Sequence, residues 1–161
     1  EHSAETASTL RSYACSLEER NIVLASLAQV SREMRSLLKS DSAADIRDVL
    51  ARREDECLRY AGLCTGQSVS DEVLVRRARE ATLCSDSHLS SLGNSVLSLY
   101  EDAQLMADEI MDCQTECESI LRTRLQATSK ALRQSAQRRR LDAVYGPAHR
   151  HDTPVFMDHR K

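Results

Sequence analysis

The chain has no Trp, a single Phe and only two prolines among its 161 residues. An aromatic share of 3% rules out a core built around stacked rings. Leu, Val, Ile, Ala, Met and Cys must fill the interior instead, which suits long helices packed side by side. Glycine is equally scarce, at Gly62, Gly66, Gly93 and Gly146, and both prolines, Pro147 and Pro154, fall in the last fifteen residues. Almost nothing upstream can break a helix. No apolar run approaches the roughly 20 residues of a membrane span. Gly-rich phosphate loops, G-x-S-x-G elbows and H-E-x-x-H motifs are all missing, so no catalytic constellation is indicated. A net charge of −3 provides no global field for nucleic acid or a membrane surface.

What is present is heptad order. Leu92, Val96, Leu99, Ala103, Met106, Ile110, Cys113, Cys117 and Ile120 step by alternating fours and threes. That spacing is the a/d seam of a helix buried along one stripe. A first helix is expected over 3–40. Leu10, Leu17, Leu24 and Leu38 share one heptad position and Tyr13, Leu27 and Met34 a second, while Arg20 and Ser31 interrupt the stripe. Ser42 and Asp45 resemble a capping box that opens a second helix over 42–64, whose charged centre runs from Arg52 to Glu56. Ser70, followed by Asp71 and Glu72, is a good N-cap for a third helix over 70–140. Ala81, Ser85 and Leu89 make a double four-step there, read as a stutter in one long helix; a true break at residues 85–88 would give four helices. The expected fold is an all-α, elongated antiparallel bundle or coiled coil of three or four helices over 1–141, with a long C-terminal helix. A flexible tail follows over 142–161.

Length locates a surface. At about 1.5 Å per residue, helices over 70–140, 3–40 and 42–64 would span about 105, 57 and 36 Å, so the first two cannot cover the third. Cys117, Ile120, Leu121, Leu125 and Leu132 are then expected to lack an intramolecular partner and to form a binding stripe. In the polar tail, Tyr145 and Phe156 are the apolar residues expected to dock onto something.

The six cysteines are read as reduced thiols, with Cys57, Cys64, Cys113 and Cys117 on apolar stripes. Disulfide scaffolds are short and loop-rich, and this chain is neither. Cys113 and Cys117 at i, i+4 have no His nearby, so packing is preferred to metal binding. His149, His151 and His159 lie in a tail that makes a poor metal cage. Arg138, Arg139 and Arg140 lack interleaved aromatics, which argues against nucleic-acid binding. No metal or cofactor is expected. The opening Glu1-His2-Ser3 has neither the form of a signal peptide nor a starting Met.

Several of these residues also resemble a family. A helix, a short helix with a central Arg52-Arg53-Glu54 run and a long helix are followed by Leu132-Arg133, then Arg139-Arg140-Leu141-Asp142-Ala143-Val144-Tyr145-Gly146, then Pro154-Val155-Phe156-Met157-Asp158. The pattern is similar to FlgN-type flagellar export chaperones over nearly the whole chain, with FliT-like chaperones as the related alternative. Gln114-Thr115-Glu116 stands where FlgN-type members often carry Asn-Gln. The resemblance implies a cytoplasmic, non-enzymatic chaperone that binds C-terminal helical segments of hook–filament junction proteins. It would prevent their premature assembly and deliver them to the type III export apparatus, as a monomer or weak homodimer. The alternative from the residues alone is a structural coiled coil that self-associates through the same seam.

Overall fold

The computed structural model describes residues 2–40 and 46–146, all in helices and the turns between them. Four helices occur in the order α1 (His2–Ser40), α2 (Ile46–Cys64), α3 (Asp71–Thr82) and α4 (Ser87–Tyr145). The fold is all-α, as the scarcity of breakers implies. The Ser42–Asp45 capping box, Phe156 and the histidine tail lie outside the described residues.

The chain divides into two compact units, Glu1–Ile120 and Leu121–Lys161. In the first, α1 is the common wall. Its Leu10, Tyr13 and Leu17 share a core with Leu74, Ala78 and Ala81 of α3 and Leu89 and Val96 of α4. Leu24, Leu27 and Ala28 meet Ile110, with Tyr60, Ala103 and Met106 against them. Val30, Met34 and Leu38 meet Val49 and Cys117, flanked by Ile120. Residue numbers along α1 therefore rise with those of α4 and fall along α2 and α3. Helices α1 and α4 run parallel, while α2 and α3 share one antiparallel lane, end to end. The seam that begins at Leu92 is the buried stripe of α4.

Where the sequence suggests one helix over 70–140, the chain folds as two. Helix α3 stops at Thr82: Leu83 caps it in a helical conformation, and its N–H donates to the Glu80 carbonyl at 3.2 Å. Asp86 then starts α4 by accepting from the backbone N–H groups of His88 at 2.9 Å and Leu89 at 3.3 Å. The direction reverses without glycine or proline. Ala81 and Leu89 pack in the same core against the start of α1, so the apolar pattern crosses the turn with only the double four-step that reads as a stutter. The reversal needs close contact, and Gly93 supplies it. A Cβ at Gly93 would lie 2.6 Å from the Ala78 carbonyl oxygen and 3.2 Å from the Ala81 Cβ.

This reversal alters the coverage inferred from helix lengths. Helix α4 restarts beside the beginning of α1, so residues 87–120 run along α1 as far as Leu38. Cys117 and Ile120, expected to be open, belong to the core instead.

Candidate functional site

Beyond Ile120 the same helix offers its apolar residues to solvent. Leu121 is 51% exposed, Leu125 70%, Leu132 66% and Tyr145 79%. No residue over 121–146 is buried. Leu121, Leu125, Thr128 and Leu132 repeat the four-three-four spacing of a seam, one residue out of register with the stripe that ends at Ile120. At about 100° per residue, the three leucines fall within an arc of about 40°. Of the seven residues expected to bind a partner, Leu121, Leu125, Leu132 and Tyr145 are thus available. Cys117 is buried, Ile120 is packed against the core, and Phe156 lies outside the described residues.

Charge marks out the same segment. Of 22 basic and 25 acidic residues in the chain, ten and three fall after position 120. Residues 1–120 therefore carry twelve basic against twenty-two acidic residues, an imbalance that the near-neutral total conceals. Within 121–145 the only acid is Asp142, set against Arg122, Arg124, Lys130, Arg133 and the triple arginine. The triple arginine belongs to a basic stretch of α4 over 121–145 rather than standing as an isolated run.

In the first unit, the most developed polar arrangement is centred on Arg20, 3% exposed and at a seam position of α1. Its guanidinium donates to both carboxylate oxygens of Asp71 at 3.1 Å and to Gln67. Gln67 in turn donates to the Val69 carbonyl at 2.6 Å and to Asp71 at 2.7 Å. Burial would raise the Asp71 carboxyl pKa, but Gln67 and Arg20 outweigh it and hold the group below the usual carboxylate range. Burial likewise works against the charged guanidinium, and Asp71 more than offsets it. The Tyr13 hydroxyl is buried without a hydrogen bond of good geometry. Burial, and then the Asp71 charge, push its pKa well above the usual tyrosine range. The cluster lies where α2 passes into α3, so it fixes the joint between two helices that share a lane. Arg20 and Ser31, read in sequence as interruptions, are core residues at seam positions.

Helix α2 is held by polar contacts more than apolar ones. Arg52 pairs with Glu33 at 2.7 Å, Ser26 donates to Glu56 at 2.8 Å, and Arg53 donates to Gln114 at 2.9 Å. Its only fully buried residue is Val49, while Leu50 and Leu58 are exposed. Near the end of α1, Lys39 and Arg35 hold Glu116 at 2.6 and 3.4 Å, and Lys39 first, then Arg35, lower its pKa.

The described cysteines are all free. Cys113 and Cys117 are buried and Cys64 half-buried, but Cys57 is exposed, together with Cys15 and Cys84. The expectation that Cys57 lies on a packed stripe is corrected: α2 turns Arg53, Glu56 and Tyr60 inward instead, at 53, 56 and 60. Burial, then Cys113, raises the Cys117 thiol pKa. Among the described residues, no group of three or more His, Cys, Asp or Glu side chains could hold a metal ion, and no helix is long and apolar enough to cross a membrane. A groove of about 700 Å³ between α1 and α4 is lined by Ile22, Leu99, Leu105 and Met106, together with Glu18 and Asp102.

No family model, characterised protein or solved structure matches this chain.

Proposed function

We propose that the protein is a non-enzymatic export chaperone of the FlgN kind, and that its α4 residues 121–145 bind a helical segment of the cargo. In this reading the cargo is the C-terminal helical part of a hook–filament junction protein. It is shielded from premature assembly and passed to the type III export apparatus in the cytoplasm. The observation that carries the proposal is the exposed seam of Leu121, Leu125 and Leu132, at the spacing by which one helix grips another. Exposed apolar stripes of this kind cost solubility unless they are used. The similarity of the Leu141-Asp142-Ala143-Val144-Tyr145-Gly146 ending to FlgN-type chaperones supplies the cargo class.

The test is binding of purified junction proteins to the full chain and to a Leu121→Glu/Leu125→Glu variant. The expected outcome is binding by the full chain and at least roughly a hundredfold loss in the variant, since two anchors at about 1.5–3 kcal/mol each are removed. Circular dichroism and thermal midpoint should stay the same, because neither side chain is buried. A variant that loses its helicity would move these leucines into the intramolecular core and overturn the assignment. A tight dimer at nanomolar concentration by sedimentation, with no cargo bound, would replace the chaperone with a self-associating structural coiled coil.

A further inference from the structure

Resting on the reading of residues 121–145 as a docking helix, we infer that its partner is an acidic amphipathic helix. That partner would carry glutamate or aspartate on both sides of its own apolar seam. The leucine stripe is flanked on both sides by cations. Taking Leu121 as the origin and about 100° per residue, Arg138 lies about 100° to one side and Arg122, Arg133 and Arg140 about 100–120° to the other. These are the places from which the flanking positions of a two-helix seam reach across to the partner. Arginine there pairs with carboxylates in a fixed fork, so it selects acids more sharply than lysine would.

Three other occupants fit less well. A second copy of the same helix would set one strongly basic flank against another, and like charges across a seam are repulsive. An anionic membrane surface calls for a broad apolar face, whereas this stripe is about 40° wide, the narrow form of a coiled-coil seam. Nucleic acid would use the arginines but leave Leu121, Leu125 and Leu132 in water.

The experiment uses the full chain and two fluorescent helical peptides of matched length. Both carry the same leucine seam; one is flanked by glutamate and the other by lysine. The glutamate-flanked peptide is expected to bind roughly tenfold tighter, with the gap narrowing as salt is added, because the several exposed charge pairs that separate the two peptides are screened by ions. An Arg122→Glu/Arg133→Glu/Arg138→Glu variant, with helicity checked, is expected to reverse the preference. Equal binding of the two peptides would overturn the acidic partner while leaving the docking helix standing. No binding of either would overturn the docking helix itself. Displacement of the bound peptide by phosphatidylserine vesicles or by duplex RNA, from the wild-type chain but not the triple variant, would reassign the segment to those ligands.

Discussion

Arg20 occupies a seam position between Tyr13 and Leu27, where an apolar side chain would pack without an electrostatic penalty. A buried guanidinium is tolerated only because Asp71 and Gln67 close around it, and removing one partner of such a cluster is more damaging than never having built it. Arg20→Ala should therefore destabilise the chain by about 3 kcal/mol in denaturant titrations, with Arg20→Met/Asp71→Asn recovering part of the loss. The same cluster sets pH limits. Asp71 is depressed in the folded state, so its contribution is present above the unfolded carboxylate range and is lost as pH falls below about 4. Tyr13 is raised, so its contribution is complete below the unfolded tyrosine range and is lost as pH climbs past about 10. Tyr13→Phe should flatten that alkaline decline in thermal midpoint and cost little at neutral pH, because the hydroxyl has no well-formed bond to lose. The thiols form a separate test. Cys15, Cys57 and Cys84 should react promptly with an alkylating reagent, and Cys113 and Cys117 only after unfolding. Arg20 and Ser31 were visible in the sequence as polar residues in a heptad stripe. Their meaning was not, because the partners of Arg20 arrive from positions about fifty residues away.

At the scale of elements, the decisive feature is the turn between α3 and α4. Its four residues contain no glycine or proline, and the double four-step of Ala81, Ser85 and Leu89 passes for a stutter, so periodicity alone favours a continuous helix. What distinguishes it is chemical: Asp86 caps the following helix through its side chain, and Gly93 allows α4 to lie against the Ala78 carbonyl. Gly93→Ala should cost about 1–3 kcal/mol, despite the better helix propensity of Ala, because α3 must be displaced to admit the methyl group. A variant as stable as the wild type would mean that the two helices can separate at no cost. The seam over 92–120 was readable because every step of it obeys one period. The extent of its coverage was not, because helix lengths alone do not say that α2 and α3 share a lane. The exposure of Leu121, Leu125 and Leu132 fits the length argument, whereas Cys117 and Ile120 pass to the core because α4 begins beside the start of α1.

At the scale of the molecule, composition splits in a way that the total charge hides: acid dominates residues 1–120 and base dominates the remainder. The first unit closes a core around α1, while the helical residues of the second expose leucines in a cationic frame. Under the proposed function, folding falls to the first and recognition to the second. Amide hydrogen exchange on the full chain, with and without a bound junction protein, tests that division most directly. Binding should slow exchange over residues 121–145 and leave the amides of 1–120 unchanged. Protection confined to residues 1–120, with no change over 121–145, would contradict it.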